Sequence, residues 1–221
     1  MAKTLSFFRS LPTFFGAIRD YFGKNSASRR IAITDSQGVA TFLQTRSSHV
    51  GQTSLYGYIR TRAGTRYPDL FENDDYVVSI NIAKWQVWIA CLSDLSLYAG
   101  GLISARTGAS PDEVRSVIET ATALALDEIG DPDDAGEQFA ASRESLLNRI
   151  KAADWAQITD DESAFSESPE ALVKWAPIID TLKDLDSEIV KNSVRFRWHE
   201  VRRDLRRDLN AEAVIASLTD D

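Results

Sequence analysis

Apolar and polar positions along the chain are organised around one run. From Tyr76 to Ile103 the only charged side chains are Lys84 and Asp94. At helical spacing, Val77, Trp88, Cys91, Leu95, Tyr98 and Leu102 form one apolar stripe. Val78, Ile82, Trp85, Ile89, Leu92 and Ile103 form a second on the other side. A row of small residues, Ser79, Ala83, Ala90, Ser93 and Gly100, runs between them and would let another helix come close. A helix that is apolar all round is a buried one. The run therefore predicts a core helix over about residues 76–103, without a solvent face and wrapped by other helices. Asn73, Asp74 and Asp75 would cap it and place acid at its positive end.

Helical patterning continues on both sides. Asp35 is an N-cap for a helix from about Ser36 to Ala63, with a thin apolar stripe through Val39, Phe42, Leu43, Val50, Leu55 and Ile59. Gly51, Ser54 and Gly57 allow tight helix contact, and Gly64 is the expected stop. Ser110-Pro111-Asp112-Glu113 has a serine cap, proline at the first position and glutamate three residues after the cap. The helix it opens follows Val114, Val117, Ile118, Ala121 and Ala125 until Gly130 and Pro132 break it. Asp134 and Glu137 offer a second capping box, for a helix to about Ala153. Thr159 to Ser168 is acidic and serine-rich, the composition of an exposed linker. Ser168-Pro169 starts a helix that Pro177 kinks or splits. Beyond it the apolar pattern runs through Leu182, Leu185, Ile189, Val194, Trp198, Val201, Leu205 and Leu209. Apart from a weak strand signal at residues 31–34, every element is helical. The expected fold is an all-α irregular bundle of six to eight helices.

Residues 5–22 stand apart from this domain. They hold five phenylalanines, Phe7, Phe8, Phe14, Phe15 and Phe22, with Arg9 and Arg19 between them. Pro12 suits the first turn of a helix ending near Phe22. Its aromatic face is either a docking surface on a membrane or partner, or a helix packed on the protein's own core. With the polar stretch to Arg30, residues 1–30 form an arm and linker, and residues 31–221 a single all-α domain. Arg9 interrupts the apolar part, and no small-residue cleavage pattern follows, so the arm is unlike a signal peptide.

Composition narrows the function classes. The chain has 221 residues, 43% of them hydrophobic, enough for one substantial core or two small ones. A net charge of −8 argues against nucleic-acid binding, which needs a basic face. The single cysteine, Cys91, excludes an internal disulfide and a cysteine-based zinc site, and fits a reducing cytoplasm. The central run is long enough for a membrane span. However, Lys84 and Asp94 would each cost about 2.5–3.5 kcal/mol near its centre.

Candidate chemistry is sparse. His49 and His199 are the only histidines, and neither accompanies a nucleophile-elbow pattern. Histidine-rich metal sites, Glu-x-x-His repeats and glycine-rich phosphate loops are missing from the sequence. Asp131, Asp133, Gly136 and Glu137 are spaced like the start of a calcium loop, but Ala135 and Ser142 occupy its fifth and twelfth positions. No cofactor or metal is therefore expected. Lys84 and Asp94 lie about 15 Å apart along a helix, too far to pair with each other. If buried, each needs another partner. Asp94 would then meet Arg60, Arg62 or Arg66, or Lys84 an acid from an element beside the second helix. Together these residues outline either a polar pocket of His49, Gln52, Tyr56, Arg60, Arg62, Arg66, Lys84 and Asp94, or structural salt bridges at the ends of the core. Near the C-terminus, Arg202, Arg203, Arg206 and Arg207 flank Glu200, Asp204 and Asp208. Pairs at i,i+3, Glu200 with Arg203 and Asp204 with Arg207, would neutralise this face. Left unneutralised, the arginines would dock an acidic partner or lipid headgroup.

Residues 42–103, above all QTSLYGYIRTRAGTRYP and SINIAKWQVWIACLSDLS, resemble an uncharacterised helical family of alphaproteobacterial proteins, a likeness covering most of the chain. Members are sometimes labelled esterases. The resemblance implies a bacterial cytoplasmic protein, and no esterase motif here supports that label. The sequence thus points first to a non-catalytic helical adaptor, assembly or regulatory protein. It would bind an unknown protein partner or the anionic cytoplasmic membrane surface, with oligomers possible. The alternative is a small-molecule enzyme, a hydrolase, using the region of His49, Lys84 and Asp94.

Overall fold

Helix caps written into the sequence set most element boundaries. The structure, a computed structural model, describes residues 32–219. Helix α1 spans Ser36–Ala63, where Asp35 accepts a hydrogen bond from the Gly38 amide and Gly64, at φ +56°, ends the last turn. Helix α2 spans Asp74–Arg106 and starts where the Asn73 side chain accepts from the Tyr76 amide. Helix α3, Pro111–Ile129, carries the reciprocal capping box of Ser110 and Glu113. Then come α4 (Gln138–Lys151), α5 (Glu167–Trp175), α6 (Asp180–Asp208) and α7 (Ala211–Ala216). Seven α-helices and no strand occur among the described residues, so the all-α bundle of six to eight helices is what the chain builds.

Helix α2 is the centre. It packs against α1, α3, α4, α5 and α7, and against 3-10 turns at Pro68–Glu72 and Trp155–Gln157. Helix α6 belongs to an outer layer, seated on α5 and α1. By length and composition α2 could cross a membrane, yet 94% of its most apolar window is buried inside this fold. Every residue from Gln86 to Ile103 is buried. The helix does have a solvent face in its first turns, contrary to the expectation of none. Val78 is 58% exposed there.

Small residues in α1 and α2 set the close approaches. A Cβ on Gly51 would lie 3.6 Å from the Trp88 Cα, so the α1 and α2 backbones cross tightly there. Trp88 donates from Nε1 to Ser48 Oγ across the same crossing, at 3.1 Å. Gly100 and Gly101 do not receive a helix. A Cβ at Gly100 would sit 2.3 Å from Trp155 Cζ3, and one at Gly101 2.5 Å from Ile158 Cγ2. The glycines thus form the floor on which the segment after α4 is pressed into the core. Helix α2 continues through them to Arg106.

Several local expectations are corrected by packing. Asp134 and Glu137 do not form a capping box: Glu137 precedes α4 without a side-chain cap, and Asp134 turns to α2 instead. The acidic stretch 159–168 is not a plain exposed linker, because Ala164, Phe165 and Ser168 are buried. Pro177 splits the helix, leaving residues 176–179 between α5 and α6. Leu185 and Ile189, expected in the apolar row of α6, face outward at 76% and 74% exposure; Asp186 and Val190 take the inward positions. Of the weak strand signal at residues 31–34, the described part forms one parallel bridge, at Ile33. Ile33 donates its amide to the Asp208 carbonyl at 2.8 Å, and Asn210 returns one to the Ile33 carbonyl at 3.0 Å.

Candidate functional site

The polar residues singled out in the sequence do not converge on one pocket. The structure divides them among separate ion-pair networks. Asp94 is fully buried on α2 and meets none of Arg60, Arg62 or Arg66. Its partner is Arg149 of α4, whose Nη1 lies 2.9 Å from Asp94 Oδ1. The Glu167 and Ser168 amides, at the N-terminus of α5, also donate to the carboxylate, at 3.1 and 2.8 Å. Arg149 reaches further, to Ser93 Oγ, Ser166 Oγ and Glu167 Oε2. Burial pushes the Asp94 carboxyl up from its ordinary range, while Arg149 and the α5 amides pull it back. One arginine and one helix N-terminus therefore pin α4 and α5 to the middle of α2.

Lys84 sits in a second network, two to three turns earlier. Its Nζ is 3.1 Å from Asp134 Oδ2, and Trp85 Nε1 donates to the other oxygen at 2.6 Å. Lys84 also lies over the Trp85 ring, 4.6 Å from its centroid. Tyr56 faces this end of the fold. Its hydroxyl is pushed up to about 12 by burial, with Tyr67, Asp134 and Tyr76 adding to the effect. Arg62 belongs to a third network, where it forks onto Asp186 of α6 beside Tyr58. Hydrogen bonding from Arg62 holds the Asp186 carboxyl below its usual range. Arg60 and Arg66 are exposed, and Gln52 is half-buried.

His49, on α1, lies within electrostatic reach of Arg197 and Glu200 of α6. Burial lowers its pKa from 6.5, Arg46 and Arg197 lower it further, and Glu200 opposes them. The folded chain thus lacks a proton that the unfolded chain binds as pH falls through about 6.5, so stability drops with acidification over that window. The carboxylates held below their usual range titrate at lower pH, and Asp94, pushed up by burial, acts in the opposite sense to His49. We expect the urea midpoint to fall between about pH 7.5 and 5.5, and His49→Gln to lose most of that fall. Equal slopes in the two proteins would rule out His49 as the source.

The C-terminal arginines are largely spoken for. Glu200–Arg203 and Asp204–Arg207 form as the i,i+3 pairs expected, at 3.3 and 3.0 Å. Arg202 is buried, donates to the Asp160 carbonyl at 2.8 Å and lies over the Tyr98 ring. Arg206 reaches the Asp160 carboxylate at 3.3 Å. The phenylalanines Phe7, Phe8, Phe14, Phe15 and Phe22 lie outside the described residues. Among the described residues no three His, Cys, Asp or Glu side chains are grouped as metal ligands.

Sequence reasoning missed Arg149, Asp134, Asp160 and Asp186, the partners that satisfy the core. Each lies tens of residues from the group it pairs with, and none carries a local signal. It also missed the outward face of α6. There Leu185, Ile189 and Phe196 are 76%, 74% and 75% exposed, with the Phe196 and His199 rings edge-on at 5.9 Å. Periodicity shows apolar residues on two sides of α6, but not which of the two is covered. Compared with protein-family models, curated proteins and solved structures, the chain matches none.

Proposed function

We propose that this chain is a non-catalytic helical adaptor or assembly protein that meets a protein partner through the outward face of α6. The exposed row of Leu185, Ile189 and Phe196 carries this reading. Monomeric proteins rarely leave several large apolar side chains aligned in water unless something covers them. The alternative, a hydrolase centred on His49, Lys84 and Asp94, is disfavoured by their different partners: Lys84 and Asp94 are held in different ion pairs, and His49 lies within electrostatic reach of Arg197 and Glu200 of α6. The membrane form of the adaptor reading rests on residues 5–22, outside the described part. A reducing cytoplasm suits the one cysteine, which is buried.

A photo-crosslinking amino acid at position 196 tests the proposal in cells producing the full chain. A discrete adduct is expected from position 196 and not from the same probe at Leu124, an exposed apolar residue on α3. The adduct should vanish when Ile189→Asp is added. No adduct from position 196, or the same adducts from both positions, would refute the docking face.

A further inference from the structure

We infer that the partner on the α6 face is a second copy of this chain, lying antiparallel across it on a two-fold axis near Asn192. The inference rests on α6 being the docking face and adds the identity of the occupant. It starts from the geometry of the row. At 3.6 residues per turn, Leu185, Ile189, Asn192, Phe196 and His199 fall within about 80° of arc, so they form one straight strip. The strip has large apolar residues on both sides of a small polar centre. Laid against a reversed copy with Asn192 at the axis, Ile189 meets Phe196 of the second copy, and Leu185 meets its His199. A C2 interface requires this self-complementarity.

Charge selects the antiparallel arrangement. Residues 180–194 of α6 hold four acids, Asp180, Asp184, Asp186 and Glu188, against Lys183 and Lys191. Residues 195–208 hold six arginines against Glu200, Asp204 and Asp208. The first half thus stays acidic and the second basic after internal pairing. A parallel pair would set acid on acid and base on base; a reversed pair sets each half against its opposite. The edges of the strip agree. Glu188 and Arg195 lie along the same edge, and a two-fold axis between antiparallel helices brings each edge against the same edge of the other copy. Glu188 then faces Arg195 of the second copy twice over. Arg195 is already oriented by its hydrogen bond to Asn192 Oδ1, at 3.0 Å, beside the axis. One helix face gives an interface at the small end of the specific range, below about 1,200 Å², where association is weak and reversible.

The test uses the full chain. Sedimentation across about 1–500 μM should show a monomer–dimer equilibrium, with Kd in the micromolar range expected of small interfaces. Phe196→Asp should abolish the dimer, and as a surface change it should leave the fold intact by circular dichroism. Glu188→Arg and Arg195→Glu should each weaken association about tenfold by setting like charges together. Combining them should restore it, because the swapped pairs again match. Cys91 is fully buried, so an introduced surface cysteine can be cross-linked selectively with a bismaleimide. Leu185→Cys and His199→Cys should cross-link when mixed and not alone. Self-cross-linking of each alone would overturn the antiparallel pairing, and a monomer at every concentration would overturn the second copy altogether. In that last case, a heterologous adduct from position 196 would leave the adaptor reading standing.

Discussion

Replacing Arg149 with methionine should cost about 3–5 kcal/mol of folding stability, a large share of what a domain of this size possesses. Asp94 is fully buried, and Arg149 is its cation at 2.9 Å. Methionine keeps much of the side-chain bulk and removes the charge. The carboxylate would then face the core with only the two α5 amides for compensation. Chemical denaturation at neutral pH measures the loss. The sign of its pH dependence is also set. Without Arg149 the folded Asp94 takes up a proton at a pH where the unfolded aspartate, at about 3.9, stays ionised. Stability from that proton is fully present below the unfolded pKa and is lost as pH rises through the folded one. The deficit should therefore shrink toward pH 5, opposite to the His49 effect in the parent protein. A loss under about 1 kcal/mol, with no pH dependence, would mean that the α5 amides satisfy Asp94 by themselves.

Trp198→Ala should be comparably damaging, at about 3–5 kcal/mol, the range for deleting a buried indole. Trp198 is 1% exposed and stacks on Phe165 with ring centroids 4.6 Å apart. Its Nε1 donates to Ser168 Oγ at 3.0 Å. Trp198→Phe keeps an aromatic ring against Phe165 but loses the N–H and part of the indole's bulk, so a smaller loss of about 1–3 kcal/mol is expected for it. The amide of the same Ser168 binds Asp94, which places Trp198 and Arg149 in one network through the start of α5. The double variant should then lose measurably less than the summed single losses, with a coupling of about 0.5–3 kcal/mol. Strict additivity would show that α5 does not transmit between them.

Local chemistry was legible in the sequence and long-range pairing was not. Asp35, Asn73 and the Ser110–Glu113 box each act within one turn, so the cap residue and its target amide appear together in the chain. Gly64 and Gly130 mark stops for a similarly local reason, at φ +56° and +67°. The core position of α2 followed from its composition. The partner of Asp94 did not, because Arg149 is set by how α4 folds back, and any of several arginines satisfies the sequence equally well. Leu185 and Ile189 expose the limit of periodicity. An apolar residue at helical spacing shows which side of the helix it occupies, but not whether anything lies there. In α6 the inward row is one position along and includes Asp186, tolerable in the interior because Arg62 and Tyr58 neutralise and hydrogen-bond it. Phe165 was hidden for the opposite reason, a lone aromatic in an acidic stretch that composition assigns to solvent.

The bridge between Ile33 and Leu209 ties the first described backbone segment to the end of α6, and this has a consequence for synthesis on the ribosome. At about 5–20 residues per second, some 10–35 seconds separate the making of these two strands of chain. During that interval α1 can already settle on α2 and α3. The flank of α1 destined for α6, with Arg46, Tyr58 and Arg62, has to wait, since Asp186 and Asp204 are translated more than a hundred residues later. The nascent domain thus carries an open, partly cationic seam for most of its synthesis and closes it only when α6 has cleared the exit tunnel.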